Sequence, residues 1–226
     1  MTFALLAETD TAIEPTPARS ESDQRSSRIG VLGGTFDPPH IGHLWLATLA
    51  SDALDLDRVL FMPAAQPPHK EGRVITRATD RLLMTRLAIG GNPTFELTGI
   101  EMERPGPSYT IDSVAELKRL HPETELMLVM AADSFAQIDT WREPDLLLDE
   151  LEWAVGPRPG TTLPDRSGLE ERFGSRASRI HLLDGPALDV SGTAIRSRVA
   201  GGHTIRYLVP RDVEELIIDH GLYRHG

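Results

Sequence analysis

The sequence predicts one doubly wound α/β domain built on a parallel sheet, and three observations predict it. Short apolar runs recur along the chain, among them Ile29-Gly30-Val31-Leu32, Val59-Leu60-Phe61-Met62 and Leu126-Met127-Leu128-Val129-Met130. Segments of helical length and amphipathic spacing separate them. Glycine or proline breaks follow several of the runs at their carboxyl ends, as Gly33-Gly34 and Pro63 do. Continuous apolar runs, rather than alternating ones, belong to strands covered on both faces, which is the condition of a parallel sheet flanked by crossover helices.

Each element follows in order. From Glu8 to Ser27 the only large apolar residue is Ile13, so this stretch cannot bury enough surface to offset its ordering entropy. Residues 1–27 are therefore expected to be a disordered tail, and 28–226 the folded domain. Arg28 to Leu32 reads as a buried strand ending in a tight Gly33-Gly34 turn. After Pro38-Pro39 a helix is expected from His40 to Leu54, with Leu44, Ala47 and Leu54 facing inward. Val59 to Met62, stopped by Pro63, is a second strand. Arg81 to Ile89 belongs to an amphipathic helix with Leu82, Leu83 and Leu87 inward, and Phe95 to Leu97 is a strand. Thr110 to Leu120 places Ile111, Val114 and Leu117 on one helical face. Leu126 to Met130, Trp153 to Val155 and Ile180 to Leu183 complete the strands, and a closing helix is expected near Val213 to Asp219. In such a fold, ligands bind beyond the carboxyl ends of the strands, where strand order reverses.

Composition bounds the function. The 226 residues are 40% apolar and 25% charged, an ordinary globular balance. No apolar run approaches the roughly 20 residues of a membrane-spanning helix. Phe3-Ala4-Leu5-Leu6-Ala7 is too short for a secretory core, and Glu8 follows at once. Cysteine is absent, which excludes thiol nucleophiles and cysteine metal sites and fits a reducing cytoplasm, the expected location. The net charge of −11 argues against a protein that coats nucleic acid. It leaves room for a bound nucleotide, because a phosphate site needs only a local cluster of donors. A homo-oligomer is compatible with the sequence, which leaves the oligomeric state open.

The densest chemistry is Gly33-Gly34-Thr35-Phe36-Asp37-Pro38-Pro39-His40-Ile41-Gly42-His43, between the first strand and the first helix. Adjacent glycines let the backbone approach a ligand, and a helix N-terminus adds unpaired N–H donors and partial positive charge. His40 and His43, three apart, project from one side of a helix, and Gly42 leaves their approach open. Paired imidazoles at a helix entrance suit a triphosphate and the charge that grows when it is cleaved. The string has neither the GxGxxG spacing of a dinucleotide fold nor that of a P-loop. A second cluster, Val190-Ser191-Gly192-Thr193-Ala194-Ile195-Arg196, offers an N-cap serine, a first-turn threonine and a guanidinium one turn on, together another anion site. Alone it would be an ordinary capped helix with a surface arginine.

These strings resemble the HxGH nucleotidyltransferase superfamily, and GGTFDPPHIGH is close to the form seen in bacterial nicotinate-mononucleotide adenylyltransferases. The resemblance covers roughly residues 28 to 225 and implies a Rossmann-like nucleotidyltransferase fold. It implies that His40 and His43 hold ATP phosphates and stabilise the pentacovalent transition state, with the Gly33, Gly34, Thr35 and Phe36 backbone along the phosphates. Ser191, Thr193 and Arg196 match the carboxy-terminal ISSTxxR-type motif that binds the β- and γ-phosphates; this chain has Gly192 where that motif has a second serine. Pro67-Pro68-His69-Lys70 matches a PPHK-like segment, which assigns Lys70 to the phosphates.

For the acceptor, Pro105-Gly106-Pro107-Ser108-Tyr109-Thr110 matches the RPGPSYT segment. The resemblance puts Tyr109 beside the pyridine ring and gives the Thr110 backbone N–H to the nicotinate carboxylate. Ala131-Ala132-Asp133-Ser134 matches a GADS segment with alanine in place of its glycine, and implies that Asp133 contacts a nucleotide ribose. Trp141 becomes the platform stacked on the pyridine, and the Arg142 N–H the second carboxylate donor. A carboxylate ringed by N–H donors is favoured over an amide, which would leave a donor unpaired at a cost of about 1–3 kcal/mol.

The implied activity is adenylyl transfer from ATP to nicotinate mononucleotide, with Mg²⁺ held mainly by ATP phosphates and no protein metal site. Phosphoryl chemistry of this kind needs positioning and charge neutralisation more than covalent help. Alternatives are a relative in the same superfamily acting on nicotinamide mononucleotide or phosphopantetheine, or a nucleotide sensor without chemistry.

Overall fold

The computed structural model describes residues 26–68 and 74–224. His69 and Lys70, and all but the last two residues of the expected tail, lie outside them. Strand β1 (Ser27–Gly34) leads into helix α1 (Ile41–Leu54), and strand β2 (Arg58–Pro63) into α2 (Ala78–Ile89). Strand β3 (Phe95–Leu97) precedes a single turn, α3 (Ile100–Glu103), and helix α4 (Thr110–Leu120). Strand β4 (Thr124–Ala131) is followed by a one-turn α5 (Ala132–Phe135) and by α6 (Pro144–Glu150). Strand β5 (Glu152–Gly156), α7 (Arg166–Phe173), strand β6 (Ile180–Leu182), α8 (Gly192–Ala200) and α9 (Arg211–Asp219) complete the chain.

The strands form one sheet in the order β3-β2-β1-β4-β5-β6, every neighbouring pair parallel. Side chains on a strand alternate between faces, and the two cores divide accordingly. Ile29, Val31, Leu126, Leu128 and Met130 face Ile111, Val114 and Leu117 of α4. Leu32, Phe61, Met127 and Val129 face Leu46, Ala47 and Ala50 of α1. A third cluster joins Met84 of α2, Ile195 of α8, and Val213 and Ile217 of α9. Among the described residues no helix is long and apolar enough to cross a membrane.

All six strands predicted from the apolar runs are present. Two local expectations, the end of β1 and the phase of α2, are corrected. Strand β1 continues through Gly33 and Gly34, and the chain turns two residues later at Phe36, whose φ of 50° is left-handed. In α1 the expectation holds: Ala47 is buried, with Leu46 and Ala50 beside it, and Leu44 and Leu54 are half-buried against the same core. Helix α2 is rotated from the expected phase: Leu83 is exposed, Leu82 and Leu87 are half-buried, and Arg81, Met84, Thr85 and Ala88 face inward. The cause is Arg81, only 1% exposed. Its guanidinium donates to the carbonyls of Thr35, Ala64, Ala65 and Thr76, at 2.6–3.0 Å. A buried cation is tolerated only when its donors are satisfied, and this set of acceptors fixes the helix's rotation.

Candidate active site

Strand order reverses between β1 and β4, and a cleft of about 570 Å³ opens at their carboxyl ends. One wall is the turn after β1. The Phe36 ring folds back against Gly34 so closely that a Cβ there would lie 3.1 Å from it and the ring would have to give way by a few tenths of an ångström. Phe36 is buried and meets the His43 ring edge-on at 4.9 Å. His40 is the N-cap of α1 in extended backbone rather than a helical residue, and its ring stacks on His43 at 3.7 Å. The imidazole pairing therefore arises from the cap geometry. The His40 N–H donates to His43 Nδ1 at 3.1 Å, which places a neutral His43 proton on Nε2.

His40 is 5% exposed, and among the described residues its Nδ1 has no hydrogen-bond partner. Burial, aided by the nearby Arg158 charge, lowers its pKa from 6.5 to about 4. The free site thus holds neutral imidazole. A Cβ at Gly42 would lie 3.1 Å from His40 Nδ1, so the glycine leaves room for this ring.

The opposite wall is the entrance to α8. Ser191 caps it, its hydroxyl accepting from the Ala194 N–H at 3.2 Å. Arg196 donates from Nη1 to the Asp37 carbonyl at 2.6 Å and from Nη2 to Thr193 Oγ1 at 3.2 Å. That first contact joins the two phosphate-type clusters. It also explains Gly192: a Cβ there would lie 2.8 Å from the Asp37 carbonyl oxygen, closer than a side chain allows. Arg158 closes the wall, donating to the Val190 carbonyl at 2.9 Å and pairing with Asp133 at 3.3 Å.

At the far end, Tyr109 is the N-cap of α4 and Thr110 its first residue, where backbone N–H groups lack helical partners. The Arg142 guanidinium lies 4.8 Å over the Tyr109 ring and 3.7 Å from Asp112. Trp141 is half-buried, 6.4 Å from Trp153. Ser108 ties this end to the β2 exit, its hydroxyl accepting from the Ala65 and Gln66 N–H groups at 3.0 and 3.2 Å. Beneath it Glu101, 4% exposed, accepts from Ser113 at 2.5 Å. Burial raises the Glu101 pKa, against the hydrogen bonds from Ser113 and Ser108 and the Arg104 charge.

Every sequence-predicted site residue within the described residues lines this one cleft: Gly33 to Phe36, His40, His43, Tyr109, Thr110, Asp133, Trp141, Arg142, Ser191, Thr193 and Arg196. Asp37, Glu101 and Arg158 line it too and were missed. A signal existed for Arg158, which sits in a Gly-Pro-Arg-Pro-Gly break after β5, again at a carboxyl end. Among the described residues no group of three or more His, Asp or Glu side chains could hold a metal ion.

A parallel sheet reversing at β1/β4, with imidazoles, a guanidinium and two helix entrances around one cleft, defines a nucleotidyltransferase of Rossmann-like fold. Residues 31–198 match the family model described as cytidylyltransferase-like. A probable nicotinate-nucleotide adenylyltransferase of Thermomicrobium roseum is 45% identical over 198 residues, covering 88% of this chain and 92% of the relative. One of the same name from Symbiobacterium thermophilum is 42% identical over 201 residues, covering 88% and 97%. Among solved structures, Plasmodium falciparum nicotinic acid mononucleotide adenylyltransferase complexed with NaAD superposes with a TM-score of 0.75 at 18% identity, covering 88% of this chain and 98% of that one. The chain belongs to the cytidylyltransferase-like family and, within it, to the nicotinate-nucleotide adenylyltransferases.

Proposed function

We propose that the protein transfers the adenylyl group of ATP to nicotinate mononucleotide, giving nicotinate adenine dinucleotide and pyrophosphate, a step of NAD biosynthesis in the cytoplasm. The observation that carries this reading is the 2.6 Å contact of Arg196 with the Asp37 carbonyl, which sets both phosphate-type clusters around one cleft. The curated relatives support the choice of acceptor by their names.

The mononucleotide phosphate attacks the α-phosphorus of ATP in line, and pyrophosphate leaves toward α8. The Gly33-to-Phe36 backbone and the α1 entrance hold the triphosphate, with His43 donating from Nε2 and His40 stacked behind it. Ser191, Thr193 and Arg196 take the leaving phosphates, joined by Lys70. Asp133, oriented by Arg158, meets a ribose. Trp141 and Tyr109 flank the pyridine, and the Thr110 and Arg142 N–H groups receive its carboxylate. Positioning and charge neutralisation supply the acceleration. Two of the cleft's carboxylates, Asp37 and Asp133, are already engaged by Tyr223 and Arg158. Mg²⁺ would therefore fit as an ion held mainly by phosphate oxygens and water, and would supply neutralisation of the leaving charge.

The test is pyrophosphate release from ATP with nicotinate mononucleotide, nicotinamide mononucleotide and phosphopantetheine in parallel. The acid nucleotide is expected to give the highest kcat/KM. Equal or faster turnover with either rival acceptor overturns the assignment, and ATP binding without release from any acceptor supports a sensor instead.

A further inference from the structure

Asp37 is an anion, 6% exposed, set between two clusters that suit phosphate. Its neighbour Arg196 donates to the Asp37 backbone carbonyl rather than to the carboxylate. The carboxylate points elsewhere. Its Oδ1 accepts from the Tyr223 hydroxyl at 2.7 Å, and its Oδ2 faces the Thr76 N–H at 3.4 Å. Tyr223 follows α9, 186 residues along the chain from Asp37, and its backbone is held at a left-handed φ of 64°. The ring packs against the third core cluster, beside Met84, while Arg196 lies near enough to act on the hydroxyl electrostatically. Burial and the Asp37 charge raise the pKa of that hydroxyl, so it remains a donor.

We propose that Tyr223 is a positioning residue for ATP: its hydroxyl holds the Asp37 carboxylate off the Arg196 guanidinium, leaving that cation to the nucleotide phosphates. The argument is one of competition. Guanidinium and carboxylate form strong bidentate pairs, and a guanidinium so paired is neutralised for phosphate. Among the described residues Arg81 also lies near Asp37, but four of its five N–H donors go to carbonyls and none of its hydrogen bonds reaches the carboxylate. The inference rests on the adenylyl-transfer reading for the identity of the nucleotide.

The test compares the full-length protein with Tyr223→Phe, which keeps the ring against Met84 and removes only the hydroxyl. Losing a hydrogen bond to a charged group is expected to raise the KM for ATP about tenfold, or about 1.4 kcal/mol, with the acceptor KM within about twofold. Calorimetric binding of a non-hydrolysable ATP analogue, without acceptor, falls by the same factor. Adding Asp37→Asn to Tyr223→Phe removes the competing charge and restores most of that binding. A Tyr223→Phe protein with unchanged analogue binding, even if its Tm drops, overturns the proposal. So does a loss that Asp37→Asn leaves uncorrected, or an equal loss for both substrates. If wild type fails to adenylylate nicotinate mononucleotide, the functional reading fails alone, because the analogue-binding ratio still decides the role of Tyr223.

Discussion

Acidification tests the buried His40 directly. An ordinary imidazole titrates at 6.5 and this one at about 4, so at about 1.4 kcal/mol per pH unit the difference corresponds to about 3 kcal/mol. The folded value is depressed, so the unfolded chain takes up the proton first. Stability contributed by neutral His40 is complete above 6.5 and is lost as pH falls from there to about 4. Near pH 5 about 2 kcal/mol of it is gone. The assay is urea unfolding of wild type and His40→Gln near pH 7.5 and near pH 5. Wild type is expected to lose about 2 kcal/mol more than the variant over that interval, because the carboxylates common to both cancel in the difference. Parallel losses would refute the reasoning, since they mean that folded His40 binds its proton as readily as the unfolded chain does.

Three further expectations follow from the site. His43→Ala removes the Nε2 donor and should lower kcat by about 10²–10³ with little change in Tm; near-normal turnover counts against its role. Gly192→Ser places a Cβ 2.8 Å from the Asp37 carbonyl, so α8 must move off the β1–α1 turn. Overpacking of this kind should cost about 1–3 kcal/mol and weaken ATP binding, and an unchanged Tm and ATP affinity would contradict it. Trp141→Ala should raise the KM for the pyridine nucleotide well above any change in the KM for ATP; equal changes in steady-state kinetics would remove its stacking role.

The longer strands β1, β2 and β4 were legible as short continuous apolar runs ended by glycine, proline or small residues, and the three-residue β3 and β6, which carry Glu96 and His181, were legible mainly from their place between helical segments. The reversal between β1 and β4 gave the cleft its place, and the fold class alone had pointed to the carboxyl ends. Helix α2 was misread because Leu82, Leu83 and Leu87 suggest a stripe, whereas Arg81 turns the helix to reach its carbonyls. No spacing rule anticipates a charged residue as the most buried side of a helix. The phosphate-type clusters were legible because each concentrates small, hydroxylic and cationic residues at a helix start. Gly192 looked like a motif defect, yet it is the place where Asp37 passes too close for a side chain. The Tyr223–Asp37 bond leaves no trace in sequence, because a lone tyrosine near a terminus has no periodicity to betray its partner.

Arg196 and Tyr223 reach Asp37 across 159 and 186 residues of chain. In order of synthesis the sheet's residues precede α8 and α9, so neither contact with Asp37 can form until residues 196 and 223 have been made. A chain cut short before Tyr223 keeps the Arg196 contact and loses the Tyr223 hydroxyl, so its expected defect is the same roughly tenfold weaker grip on ATP as that of Tyr223→Phe.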